Sequence, residues 1–470
     1  MSLKNIGEKI YHINKMETKI YLDYNATTPL DKNVRETIND ALEHCWGNPS
    51  SSHNTGKSAK RVIDEARRNV ATMIGGSSSD VIFTSGGTEA NNMIILSAVH
   101  HFRKLYGLTN SNGLPSEKAK THNSLASDLS RLDKSPKKRK LSDGDGDEIQ
   151  HGVFYGDGDH KIRRLPHIIS SYLEHPAVNV FLEHLKSTGQ ADVTYAEISQ
   201  TTGRVEVEGI TKAIRPNTIL VTVMLANNET GIIQPVREIC EAIRNLDRSE
   251  LETEQIYVHT DAAQAIGKIS VDVQSLGVDY LTIVGHKFYG PRIGAVYTRG
   301  LAKSETPLFP VFYGGGQEKG LRAGTENTGM IAGLGKASEI VNANLTEFQT
   351  HMKMCRDYLE SRLTEHFKER VHFNGKFPGI ESLPNTCNVS ILGKNLQGHR
   401  VLEKCKTIEA SVGAACHAQN KPSAILLAVG IPEDIARNAL RLSLGRETTL
   451  ADVDLVVEDL VQAVQELDAE

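Results

Sequence analysis

The sequence predicts an α/β protein built on a mainly parallel sheet of seven strands, followed by a smaller α+β unit. Seven short runs rich in apolar and β-branched residues, at 81–84, 167–171, 192–195, 218–225, 256–260, 280–284 and 294–298, have the continuous hydrophobicity of strands buried on both faces. Amphipathic helical stretches separate several of them, among them 58–75, 176–187 and 235–245, an alternation that builds parallel crossovers. From about residue 346 the alternation gives way to a helix, a strand and a closing amphipathic helix.

Taken in order, residues 58–75 place Ala59, Val62, Ile63, Ala66, Val70, Met73 and Ile74 on one helical stripe, which Gly75-Gly76 ends before the strand Val81-Ile-Phe-Thr. The most hydrophobic strand, Ile219 to Ala226, is far too short to span a bilayer. Residues 104–165 break the pattern: Ser, Asp, Gly, Lys and Asn dominate, and no period is sustained, as in a disordered surface insertion. Pro136-Lys-Lys-Arg-Lys within it has the form of a nuclear-import signal, although a solvated charge run is the favoured reading. The neighbouring Asp143-Gly-Asp-Gly-Asp lacks the closing glutamate of a calcium loop. Beyond 346, Met352, Tyr358, Leu359 and Leu363 mark one helix face, Thr386–Ile391 reads as a strand, and 451–467 as the last helix.

Composition narrows the function classes. The 470 residues, 39% hydrophobic and 24% charged with net charge −5, describe an ordinary globular protein with no bias toward nucleic acid. The N-terminal residues lack the apolar core of a signal peptide and the arginines of a transit peptide, so a cytosolic location is expected. Cys45, Cys240, Cys355, Cys387, Cys405 and Cys416 form no Cys-x-x-Cys pair, which argues against a zinc site or a disulfide framework, and no metal is expected.

The chemistry gathers at predicted strand ends. Lys287 follows the strand Tyr280-Leu-Thr-Ile-Val, and Asp261 ends the strand Ile256-Tyr-Val-His-Thr-Asp, with Gln264 in the next turn. An amine and a carboxylate so placed suit pyridoxal 5'-phosphate: the lysine captures its aldehyde and the aspartate keeps the ring nitrogen protonated. Gly285, Gly290 and Gly294 are read as room for close backbone approach to a ligand, and Phe288 and Tyr289 as the walls of a dry pocket that makes the amine easier to neutralise. Ser85-Gly-Gly-Thr follows a strand and opens a helix, so Gly87 and the Thr88 hydroxyl are candidates for a phosphate cradle. His175 suits ring stacking or proton transfer, against the commoner structural role of a lone histidine. Asn228 is a donor to the ring hydroxyl. Cys416, amid small residues in Val412-Gly-Ala-Ala-Cys-His, suits a reachable loop and a role as nucleophile or acid. Arg441 is either a carboxylate clamp or a helix-end ion-pair partner.

These residues stand in runs that jointly resemble the cysteine desulfurase class of aminotransferase-fold enzymes: Leu22-Asp-Tyr-Asn-Ala-Thr-Thr-Pro, Ser85-Gly-Gly-Thr-Glu-Ala-Asn-Asn, Asn227-Asn-Glu-Thr-Gly, His259-Thr-Asp-Ala-Ala-Gln, Gly285-His-Lys and Arg322-Ala-Gly-Thr-Glu-Asn. Gly314-Gly-Gly-Gln-Glu, Leu383-Pro-Asn-Thr-Cys-Asn and the Cys416 run resemble the animal selenocysteine lyase branch of that class. The resemblance covers roughly residues 19–99 and 167–465 and implies a fold-type I homodimer with shared active sites. It also implies an N-terminal arm (1–30) joining the small domain, a large domain at 31–345 that binds the cofactor, and a small domain at 346–470 that carries the Cys416 loop. By this resemblance Lys287 holds the cofactor and Asp261 its ring nitrogen, Gln264 and Asn228 meet the ring oxygen, and His175 stacks on the ring. Thr88 and His286 bind phosphate, Thr325 reaches the neighbouring subunit's phosphate, and Arg441 and Asn25 hold the substrate carboxylate. Three departures stand out: Val284 occupies a position that is usually serine, and in Gly413-Ala-Ala-Cys-His an alanine and a histidine stand where the usual run is Gly-Ser-Ala-Cys followed by serine or threonine. They favour L-selenocysteine as substrate; a protein acceptor for the selenium is a further expectation. The alternatives are a desulfurase acting on L-cysteine and a silent scaffold.

Overall fold

The computed structural model describes residues 19–107, 164–413 apart from 248, 250, 252 and 254, and 421–470. In chain order its regular elements are β1 (Ile20–Tyr21), α1 (Lys32–His44), α2 (Asn54–Met73), β2 (Val81–Thr84), α3 (Gly87–Leu105), β3 (His167–Ser171), α4 (Pro176–Ser187), β4 (Asp192–Ala196), α5 (Val207–Ala213), β5 (Thr218–Thr222), α6 (Val236–Arg244), β6 (Tyr257–Asp261), α7 (Val273–Leu276), β7 (Tyr280–Val284) and β8 (Gly294–Thr298). There follow α8 (Thr328–Phe367), β9 (Val371–Phe373), β10 (Thr386–Ile391), α9 (Gly398–Lys404), β11 (Ile408–Glu409), α10 (Ala424–Ala428), α11 (Glu433–Arg437), β12 (Ala439–Ser443) and α12 (Leu450–Asp468).

The seven predicted runs form one sheet in the order β2-β8-β7-β6-β5-β3-β4. All pairings are parallel except those of β8, which runs antiparallel to both β2 and β7. Helices cover the two faces and divide the apolar interior: Val70, Ile169, Val221 and Ile283 pack on one side, and Ile94, Ile168, Leu220 and Tyr280 on the other. Because β3, β5, β6 and β7 are parallel, their carboxyl ends open along one edge, the usual place for a ligand in such sheets.

The second sheet, β12-β10-β9, is antiparallel and packs with the second half of α8 and with α12 around Leu359, Val389, Leu442 and Leu460. Thr449 and Asp452 form a reciprocal cap at the start of α12. β1 pairs with β11 in parallel, and Leu22 enters this second core.

Two expectations need correcting. The helix predicted to open near 346 begins at Thr328 and runs unbroken through that position. Its first half packs on α1 and α2, where a Cβ on Gly333 would stand 2.6 Å from Ile38 and one on Gly335 2.5 Å from Ala66, so these glycines are contact points that interrupt the apolar stripe. The strand predicted over 218–225 stops at Thr222, although Val223 and Leu225 still donate to the backbone of β6. Most of the 104–165 insertion, including Pro136–Lys140 and Asp143–Asp147, lies outside the described residues. Its flanks meet, with the Arg164 guanidinium 5.1 Å from the Tyr106 ring centroid. Among the described residues no helix is long and apolar enough to cross a membrane.

Candidate active site

A cavity of about 310 Å³ lies at the carboxyl edge of the main sheet. It is lined by Asn25, Gly87, Thr88, His175, Asn228, Asp261, Gln264, His286, Lys287 and Arg441, so ten of the twelve sequence candidates share one space. Thr325 sits elsewhere, exposed between Gly324 and Glu326, and Cys416 falls outside the described residues.

Lys287 ends a short 3-10 turn, Gly285–Lys287, that continues from β7. Its Nζ donates to the backbone carbonyls of Asn25 (2.6 Å) and Ala26 (2.9 Å). Burial, helped by the Arg441 charge, brings this amine down from its ordinary value to about 8. The nearby glycines do not make the room for a ligand that the sequence reading expected of them. A Cβ on Gly285 would stand 2.5 Å from the Pro291 carbonyl, and one on Gly294 2.8 Å from the Gly86 backbone, so they let protein backbones close on each other. Phe288 is buried as predicted, and Tyr289 adopts a left-handed φ of 63° and accepts from the Arg446 amide through its hydroxyl.

Asp261, 6% exposed, ends β6. Its Oδ2 accepts from Asn91 Nδ2 (2.8 Å) and its Oδ1 from the Ala263 amide (2.9 Å). Thr282 Oγ1 donates to Asn91 Oδ1 at 2.6 Å and contacts His259, a buried imidazole pushed down to about 4 by desolvation. The Asn91–Thr282–His259 chain was missed in the sequence, yet Asn91 sits one helical turn after Gly87 in a run already singled out.

Gly86 precedes α3 with no side-chain cap, leaving the first helical N–H groups open beside Thr88. Gly87 is required by closeness, since a Cβ there would meet Val284 Cγ2 at 2.6 Å. His286 contacts Thr27 Oγ1 through Nδ1 at 3.1 Å, and burial followed by the Lys287 charge pushes its ring down to about 4. His175 caps α4, its Nδ1 accepting from the Ala177 amide, which leaves the proton of the neutral ring on Nε2. Burial lowers its pKa, with Asp261 opposing. Just before it, Glu174 is fully buried and its carboxyl is pushed up to about 8 by desolvation.

Arg441, 2% exposed, lies in β12 rather than at a helix end. Its Nη2 donates to Asp23 Oδ1 (2.6 Å) and its Nη1 to the Asn228 carbonyl (3.1 Å), while Nε finds no partner among the described residues. Asn25 Nδ2 donates to the Asn228 carbonyl and to Thr386 Oγ1, tying the arm to the second sheet. Asn228 Oδ1 is buried without a partner among the described residues.

The donor set fits pyridoxal 5'-phosphate: an amine near neutrality, a buried carboxylate, an uncapped helix start for an anion and the orphaned Asn228 oxygen for a ring substituent. Among the described residues no cluster of His, Cys, Asp and Glu could hold a metal ion.

The family described as aminotransferase class V matches residues 20–106 and 153–456. The chain is 50% identical to selenocysteine lyase of Bos taurus over 96% of its own length and 94% of that protein's. It is 49% identical to selenocysteine lyase of Homo sapiens over 97% and 94% of the two chains. The cysteine desulfurase IscS of Dictyoglomus turgidum is more distant, at 34% over 96% of each. Among solved structures, a NifS-like protein superposes with a TM-score of 0.74 at 29% identity, covering 96% of this chain and all of the other. DndA of Streptomyces lividans gives 0.63 at 30% identity over 91% and 99%. With the fold, the cofactor-fitting cavity and these likenesses in agreement, the chain belongs to the pyridoxal-phosphate-dependent aminotransferase class-V family, in its selenocysteine lyase branch.

Proposed function

We propose that this enzyme decomposes L-selenocysteine to L-alanine and reduced selenium. The observation that carries the reading is a buried amine, Lys287, sharing one cavity with the Asp261 carboxylate and the Arg441 guanidinium. The names of the relatives at about 50% identity support the substrate. When bound, pyridoxal 5'-phosphate supplies an aldehyde for the amine and a ring that draws electron density from the substrate's α-carbon. In this reading Asp261 would keep the ring nitrogen protonated, Asn228 and Gln264 would hold the ring oxygen, and His175 would pack against the ring. The N-terminus of α3, with Gly87, Thr88 and His286, holds the phosphate. Arg441 would exchange its contact with Asp23 for the substrate carboxylate, assisted by Asn25, and the Lys287 amine would take the α-proton.

The C–Se bond breaks and a C–H bond forms. The atoms balance as alanine plus Se(0), and a dithiol reductant carries the selenium to selenide. A thiol titrates near ~8.5, whereas a selenol ionises at lower pH, so the substrate arrives as the selenolate, and the C–Se electron pair stays with carbon as Se(0) departs. Cys416 then acts as an acid toward carbon, or its sulfur bonds the released Se(0) as a selenopersulfide rather than attacking the intact C–Se bond, before the selenium passes to an acceptor protein. Thr325, exposed alongside Phe312 and Tyr313, serves the neighbouring subunit of a homodimer. We propose a cytosolic location, which cell fractionation tests: a nuclear signal would instead favour Pro136–Lys140 as an import signal.

A matched assay of selenide and sulfide from L-selenocysteine and L-cysteine tests the substrate. Selenide release should dominate and fall on Cys416→Ser, whereas sulfide release at equal or greater rate would overturn the reading in favour of a desulfurase.

A further inference from the structure

Lys268, 4% exposed, is a second buried lysine that lies behind the cavity and does not line it. It follows Gly267, whose φ of 78° and close approach to the Phe288 side chain fix the turn after β6. Its Nζ donates to Asn25 Oδ1 (3.0 Å) and Gln264 Oε1 (2.8 Å). Those amides spend their other ends nearby: Gln264 Nε2 donates to the Asn25 carbonyl (2.9 Å), the same oxygen that takes Lys287 Nζ. Asn385 Nδ2 also donates to Asn25 Oδ1, at 3.0 Å.

We propose that Lys268 is a positioning residue, a donating post that fixes which end of the Asn25 and Gln264 amides faces the cavity and thereby sets the carbonyl that receives Lys287. An amide can turn by half a rotation at little steric cost, and only its hydrogen-bond partners choose between the two faces. A lysine nitrogen has no acceptor role to offer when charged, and as a neutral amine its two N–H groups match the two amide oxygens. Desolvation by burial, joined by the positive charges of Lys287 and Arg441, pushes its pKa well down.

The inference rests on the cofactor reading of Lys287, and one experiment separates the two. Holoenzyme with wild-type sequence, Lys268→Met and Lys268→Gln is reduced with borohydride and peptide-mapped, and cofactor affinity, the pH midpoint of the bound-cofactor absorbance, kcat and KM are measured. Lys268→Met should bind cofactor about tenfold more weakly, the effect of one buried acceptor losing its donor. It should also shift the absorbance midpoint and lower kcat more than it raises KM. Lys268→Gln, which can still donate to one oxygen, should recover part of each. Absence of label on Lys287 in the wild type sinks the cofactor reading itself. Label on Lys287 with affinity and midpoint unchanged in Lys268→Met overturns the role of Lys268. Should that variant fail to fold, the same unchanged values in Lys268→Gln overturn it equally.

Discussion

Lys287 shows how one residue's surroundings set its chemistry. Burial and the Arg441 charge bring its amine to about 8, and only the neutral form captures an aldehyde. The folded pKa lies below the ordinary lysine value, so the reactive fraction grows as pH rises toward 8 rather than toward about 10.4. Capture of pyridoxal 5'-phosphate by apo-protein, followed by absorbance, should therefore accelerate from about pH 6 and level off above about pH 8. A rate still climbing steeply at about pH 10 would contradict this. At this scale the sequence was informative where a motif exposed the residue: Lys287, Asp261 and Arg441 stand in runs whose spacing carries chemistry. Lys268, Asn91 and Asn385 did not stand out, because a polar residue is recognisable as buried only once distant segments fold over it.

The elements divide the same way. The sheet strands were legible because burial on both faces leaves uninterrupted apolar runs. The start of α8 was not, because Gly329, Gly333 and Gly335 stand where a helix usually shows large apolar side chains, and their worth lies in contacts with α1 and α2. A Cβ at Gly335 has nowhere to go beside the Ala66 backbone. Gly335→Val should cost about 1–3 kcal/mol in urea unfolding, while Glu339→Ala, on the exposed side of α8, should stay within about 0.5 kcal/mol. Equal midpoints for the two variants would refute the close packing of α8 on α2.

Across the whole molecule, the family match skips residues 107–152, and the flanks of that stretch touch through Tyr106 and Arg164. Joining residues 107 and 164 with a short Gly-Ser linker should leave activity unchanged and give a solution mass twice that of the shortened chain, as the proposed homodimer requires, since the family match skips most of that stretch. Loss of activity with intact mass would assign the segment a catalytic part. The small unit was legible only in outline, since its strands are short and its core draws on Leu22 from the far end of the chain.

That reach has a consequence for the order of folding. The segment beginning at Ile20 finds its hydrogen-bond partners at Thr407, Glu409, Arg441 and Ser443, Asp23 and Arg441 lying 418 positions apart. The carbonyls that receive Lys287 belong to this same arm. A folding chain can therefore complete its main sheet with its lysine still unplaced, and catalytic competence waits until these two segments, far apart in sequence, dock on each other.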